Sequence, residues 1–592
     1  MSYPRCHKEG CRFSAWAPEK EVMALRLLPD RDIAMHKDEW GYFSVDVPGV
    51  GADTRYGYVA DGEFYPDPCS AYQPEGVYAA SAVVDHGAFH WTDGGWRGRA
   101  FAELVFYEVH IGAFTPEGSF EAMIPRLDAL AATGINAIQL MPVAQCSGSR
   151  NWGYDGVFLY AVQNNYGGPL GLKRLVDACH QLGIAVFLDV VYNHIGREGN
   201  ILAHFGPYFS DKYGTPWGKA MNFDGDWSDG VRDFVTGNVL YWAEEYHLDG
   251  LRLDAIHEMY DRNAVRIWDE LHAAVKRWEA KAGRRFYLVA ESDTNDPRTV
   301  RTPELGGKGF DAQWLDDFHH ALYVLLHPEG WRNYRDFGAM DQLARGYEEG
   351  FVHSGEYVYF RRRRHGASAA GISGEHFIVF NQNHDLPGNR PDGKRLSALV
   401  DLRVQKLAMA ALLLSPYVPM LFMGEEYGEE APFHFFSDYQ EEETKSGLIE
   451  GRRKQFEAFQ FEGEPRDPQE ETAFLASKLR WERRSEGVHG ELLALTAELL
   501  RLRREHPLLA DLSRDRLRVD VVGEKGLAIQ RWSAGRDREL LCLLNFSAYS
   551  AMPFVRDRRF WKPLLVSCPI GDYVPPQSFA VLERRVAAPE ER

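Results

Sequence analysis

Three short segments end in a carboxylate: Gly250-Leu-Arg-Leu-Asp254, Leu288-Val-Ala-Glu291 and Gln382-Asn-His-Asp385. Glycosidic hydrolysis needs such a set. One carboxyl must be protonated to deliver a proton to the leaving oxygen, and another must be ionised to face an oxocarbenium-like centre. Arg252 lies two residues before Asp254, so in a strand both point to the same side. An adjacent cation keeps Asp254 ionised. Glu291 has no cation beside it in the sequence, which makes it the candidate for a raised pKa and for the acid. His194, closing Asp189-Val-Val-Tyr-Asn-His, and His384 can hydrogen-bond ring hydroxyls, with Asn383 beside the latter. Trp152-Gly-Tyr154 offers rings that can stack on a sugar face.

These groups need a scaffold that brings distant segments to one place. Eight short apolar runs are candidate strands: 104–111, 135–142, 184–194, 248–255, 285–293, 310–317, 376–385 and 418–426. Helix-length amphipathic segments such as 171–183 and 233–247 separate most of them. Eight strands alternating with helices predict an α/β fold, a (β/α)8 TIM barrel. Its active site lies at the carboxyl ends of the strands, where the groups above fall. Residues 1–95 read as an N-terminal β-sandwich, whose aromatics suit a sandwich core better than a sugar site. Residues 96–485 form the barrel unit, with an inserted subdomain at about 194–230 and a second insertion at 318–375. Residues 486–592 read as a helical link and a C-terminal β-sandwich.

Composition narrows the partners. The 592 residues carry a net charge of −19, which disfavours nucleic acid and anionic membrane and suits an uncharged substrate. The run Arg361–Arg364 therefore reads as a solvated or carboxylate-paired loop. Seven cysteines without a CxxC pair indicate neither a zinc site nor a disulfide framework. The N-terminus lacks the apolar core of a signal peptide. The longest apolar stretch, 407–423, contains Pro416 and Pro419 and reads as a buried helix followed by a strand rather than a membrane span. A cytoplasmic enzyme is expected.

The blocks DVVYNH (189–194), GLRLDA (250–255), VAES (289–292) and NQNHD (381–385) together resemble those of the α-amylase superfamily, glycoside hydrolase family thirteen. The resemblance implies Asp254 as nucleophile, Glu291 as general acid/base and Asp385 as the carboxylate that stabilises the transition state. It places Arg252, His194, His384 and Tyr154 around the reacting ring. It also implies retention of configuration, with a carboxyl separation of about 5–5.5 Å between Asp254 and Glu291.

Further segments, among them 65–77, 106–120, 205–218, 290–298, 314–322 and 423–439, resemble the trehalohydrolase branch of that superfamily. This implies maltooligosyltrehalose as substrate, with a pathway link to the synthase that makes it. His257 and Glu258 stand where the superfamily often has Lys-His, and are candidates for recognising the leaving group. Leu386-Pro387 stands where the branch commonly has Gln-Ile, a change that could alter the substrate mouth. Asn193 matches a position that can serve calcium in amylases, but the branch is not characteristically calcium-dependent. No metal or other cofactor is expected. The rivals are a glycogen branching or debranching enzyme, which shares the scaffold, and a non-catalytic amylase-like glucan-binding protein, which would lack the carboxylates present here.

Overall fold

The computed structural model describes residues 3–328, 334–459, 466–554 and 556–585. Its centre is a closed barrel of eight parallel strands in chain order. They are β1 (Phe106–Val109), β2 (Ala137–Leu140), β3 (Ala185–Val190), β4 (Gly250–Leu253), β5 (Tyr287–Ala290), β6 (Ala312–Trp314), β7 (Phe377–Phe380) and β8 (Val418–Phe422). All eight fall within the runs read from the sequence. The 407–423 stretch divides as expected, into a helix Leu402–Leu413 and β8.

Side-chain alternation sorts the strands into two cores. Phe106, Ala137, Ala185, Phe187, Tyr287, Val289, Ala312, Trp314, Ile378, Phe380, Val418 and Met420 fill the barrel interior. The intervening residues, such as Leu188, Leu251, Leu253 and Leu288, pack outward on the helices. Gly250 is required by this layering: a Cβ there would lie 2.4 Å from the Phe187 ring and 2.5 Å from the Tyr287 carbonyl oxygen. One step further along β3 and β4, Asp189 and Arg252 take the same inward direction as paired neighbours.

The helices that matter for the site are α1 (Gly168–Gln181), α2 (Ser228–Glu245), α3 (Ile267–Ala282) and α4 (Asp316–Leu326). Between β3 and α2 lies a short helix Leu202–Phe205 and a hairpin, Phe209–Thr215 with Gly218–Met221. The second insertion carries α4, a helix Met340–Glu349 and a small hairpin at 357–364; its residues 329–333 lie outside the described residues.

Before the barrel stand two antiparallel sheets, of four and five strands. They are fixed to α2, where Trp16 packs on Gly230 and Tyr42 Oη donates to Asp233 at 2.8 Å. After it comes a five-stranded antiparallel sheet with a two-stranded companion. The helix Gly487–Glu505, grouped with that C-terminal part from the sequence, packs on the barrel: Thr496 Oγ1 donates to the Glu426 carbonyl at 3.1 Å and Arg503 to that of Leu413 at 2.9 Å. One cysteine reading is corrected. Cys6 and Cys11 face each other across the first hairpin, with Cα atoms 4.1 Å apart, and form a disulfide. The five-residue spacing brings them together only because a tight turn joins the two strands. Among the described residues no helix is long and apolar enough to cross a membrane.

Candidate active site

Arg252 organises the barrel mouth. It is fully buried, its guanidinium 4.2 Å from the centre of the Trp314 ring. Nη1 donates to Asp189 Oδ2 at 2.7 Å and to Asp254 Oδ1 at 2.9 Å, and Nη2 pairs with Glu291 Oε2 at 2.8 Å. One cation thus meets carboxylates from β3, β4 and β5. The sequence reading gave Glu291 no cation; the structure supplies one from the adjacent strand. Burial still prevails: it pushes the Glu291 carboxyl above the usual range against the pull of Arg252. Burial likewise raises Asp189 to about 7.

Asp254 and Glu291 are held from behind. Asn193 Nδ2 donates to Asp254 Oδ2 at 3.0 Å. Ala255, immediately after Asp254, adopts a left-handed conformation, φ 38° and ψ 55°. A β-carbon makes that costly, by about 1–3 kcal/mol. The return is that the Ala255 N–H donates to Glu291 Oε2 at 2.8 Å. The strain therefore ties the end of β4 to the carboxylate after β5.

Asp385 opens a short helical turn, Asp385–Gly388, after β7 and is the most solvent-accessible of the three, its side chain 44% exposed. Asn389 Nδ2 donates to its Oδ1 at 3.1 Å. His384 Nε2 is 3.6 Å away, while His384 Nδ1 lies 2.8 Å from Glu108 Oε1. Burial pulls the His384 pKa down, but Asp385 and Glu108 outweigh it and hold it at about 9. His194 is the opposite case: burial lowers its pKa, its Nδ1 contacts Asn193 Oδ1 at 2.5 Å, and its ring stacks on Trp217.

The remaining candidates fall around this centre in different ways. Tyr154 stacks on His384 and donates its hydroxyl to Asp189 at 2.8 Å. Asn383 spends its Oδ1 on the Asp385 N–H at 3.0 Å and so shapes the turn. His257 and Glu258 lie on the turn after β4. His257 Nε2 is 3.7 Å from Asp293, and Glu258 accepts from Tyr260, whose ring stacks on Tyr213 of the inserted hairpin. Trp152 is not an open platform: it is buried, stacked on Phe433, and donates its indole N–H to the His434 carbonyl. Leu386 and Pro387 are buried too. Of the arginine run, Arg361 is paired with Asp293 at 2.9 Å and Arg362–Arg364 are exposed.

Sequence reasoning left Glu108, Asp293, Asp316 and Trp217 without a role. Only barrel closure brings Glu108 of β1 to His384 after β7. Asn193 is committed to Asp254 and His194. Among the described residues, no group of three or more His, Cys, Asp or Glu side chains is arranged to hold a metal ion.

A closed parallel barrel with an arginine-bridged carboxylate set at its carboxyl mouth defines a glycoside hydrolase of the α-amylase type, and the alpha-amylase catalytic-domain profile matches residues 80–208. Malto-oligosyltrehalose trehalohydrolase of Saccharolobus solfataricus is 44% identical over 502 residues, 85% of this chain and 86% of that protein. The Mycobacterium tuberculosis protein of the same name is 40% identical over 550 residues, 90% and 92% of the two chains. A crystal structure of a Salmonella typhimurium protein, provisionally called an alpha amylase, superposes with a TM-score of 0.91 at 36% identity, covering 99% of this chain and all of that one. The chain belongs to the malto-oligosyltrehalose trehalohydrolase family.

Proposed function

We propose that this enzyme hydrolyses the α-1,4-glucosidic bond next to the terminal trehalose of maltooligosyltrehalose, releasing trehalose and a maltooligosaccharide. The observation that carries the chemistry is the meeting of Asp254 and Glu291 on one guanidinium, that of Arg252. Asp254 attacks the anomeric carbon while Glu291, its pKa raised by burial, gives its proton to the departing oxygen. A glycosyl–Asp254 ester forms and trehalose leaves. Glu291, now ionised, takes a proton from water, which attacks the same carbon and frees Asp254. Two carboxylates sharing one guanidinium support the short separation of a retaining enzyme. Asp385 binds ring hydroxyls more tightly as the ring flattens, which lowers the barrier rather than deepening ground-state binding. The His384 ring lies 3.6 Å from that carboxylate.

The substrate is the product of a maltooligosyltrehalose synthase, and we place both steps in the cytoplasm. Five of the seven cysteines are free thiols, which suits a reducing compartment, whereas the Cys6–Cys11 disulfide runs against it. The test is product analysis on maltooligosyltrehalose and, separately, on a maltooligosaccharide of similar length. Rapid release of free trehalose from the first with little cleavage of the second is expected. Equal cleavage of both would reduce the reading to a general α-glucanase, and new α-1,6 branches on a long glucan would replace it with a branching enzyme.

A further inference from the structure

Strand β6 runs into two adjacent aspartates, Asp316 and Asp317, the first residues of α4. They have opposite surroundings. Asp317 is buried and fully engaged: its Oδ2 accepts from the N–H groups of Val352 (2.9 Å) and His353 (2.8 Å) and from Asn295 Nδ2 (2.7 Å). It pins the second insertion to the barrel. The Asp316 carboxyl makes no hydrogen bond or ion pair with any described residue. It caps no backbone N–H of α4, so the ordinary role of a first-turn acid is not taken up.

Its place is fixed by strand order. β6 stands between β5, which leads to Glu291, and β7, which leads to Asp385. The largest charge effects on Asp316 come from carboxylates, Glu291 first, then Asp385, Asp293 and Asp317. Burial and these like charges drive its pKa well above the usual carboxylate range. A carboxyl accepts from a sugar hydroxyl in either protonation state and, when protonated, also donates to one. Its neighbour Asp293 meets Arg361 and His257, the latter a candidate from the sequence for the leaving-group side.

We propose that Asp316 is a substrate-binding residue that hydrogen-bonds a hydroxyl of the sugar ring on the leaving side of the cleaved bond, the glucose that departs as part of trehalose. The assignment rests on the trehalohydrolase reading above.

The experiment compares wild type, Asp316→Ala and Asp316→Asn in steady-state hydrolysis of maltooligosyltrehalose, with product inhibition by trehalose and thermal unfolding measured alongside. Asp316→Ala should lower kcat/KM by about 10- to 100-fold, one hydrogen bond's worth, and weaken trehalose inhibition about as much, with an unchanged unfolding midpoint. Asp316→Asn, which keeps a donor and an acceptor, should recover most of both losses. Wild-type kinetics in Asp316→Ala overturn the proposal, as does an Asn variant no better than Ala. Unchanged trehalose inhibition in a slowed Ala variant overturns the leaving-side placement. If Asp316→Ala does not fold, Asp316→Asn decides: activity near wild type supports the role, and activity lost with fold intact overturns it. A wild-type protein that releases no trehalose defeats the functional reading and this proposal together, whereas an active wild type with an unimpaired Ala variant defeats this proposal alone.

Discussion

The two ends of this barrel each bury a cluster of charge, and they use it differently. At the mouth, Arg252 meets Asp189, Asp254 and Glu291. At the floor, where α1 ends and β4 begins, His180 lies between Asp93 (2.8 Å) and Asp249 (3.0 Å), and His247 also reaches Asp93 (2.9 Å). The floor is saturated. Asp249 also accepts from the Trp96 indole at 2.7 Å and the Val186 N–H at 2.8 Å. Burial opposes ionisation of Asp93, but its hydrogen bonds with His180 and His247 win and hold its pKa well below the usual range. Burial also pulls His180 down, and its bonds to Asp249 and Asp93 reverse that. For three carboxylates at the mouth burial prevails instead, and Asp189, Glu291 and Asp316 are all raised. Charge that is fully paired becomes structure; charge left short of partners is available for chemistry.

The contrast can be broken by mutation. The largest effect is expected from Asp254→Asn, which should cut kcat by about 10^4-fold or more while leaving the unfolding midpoint at or above that of wild type; retained activity would refute the nucleophile assignment. His180→Ala should do the reverse. It removes the ring shared by Asp93 and Asp249, at a cost of about 3–5 kcal/mol, so the denaturation midpoint drops while kcat of the folded protein holds. Arg252→Lys keeps the charge but loses the planar fork that serves three carboxylates. A kcat loss of about 10^2–10^3-fold is expected, with a changed pH profile as Glu291 loses its partner.

The smallest effect sharpens the comparison through pH. The His384 pKa is raised from an ordinary 6.5 to about 9, so the stability due to its charged form is complete below about 6.5 and is lost as pH rises through about 9. That contribution is about 3 kcal/mol by linkage. Glu108→Gln should shift this alkaline loss towards neutral pH in both unfolding and activity profiles; an unmoved limb would show that Asp385 alone holds the proton. The floor instead loses support on the acid side, as pH falls below the usual carboxylate range and Asp93 takes its proton.

Much of this was legible beforehand. Alternation of strand and helix identified the barrel, and the period of two put Arg252 and Asp254 on one side. Trp152 shows the limit of such reasoning: an aromatic near the mouth can as well be the packing behind it, and Phe433, 281 residues on, decides which. The Cys6–Cys11 pair needed the turn between them, which spacing alone does not specify. Asp316 and Asp317 are identical in type and adjacent, and no pattern separates them; the three donors that reach one and not the other do.

The amino-acid sequence by itself determined which residues end the strands and towards which side they point, because both follow from local periodicity along one chain segment. The tertiary structure decided which charges meet. Barrel closure and strand register set Arg252 against Glu291, Glu108 against His384 and Asp316 among carboxylates, and burial with neighbouring charge then shifted the Glu291, His384 and Asp316 pKa values. Those are sums over neighbours distant in sequence, and only the folded chain performs them.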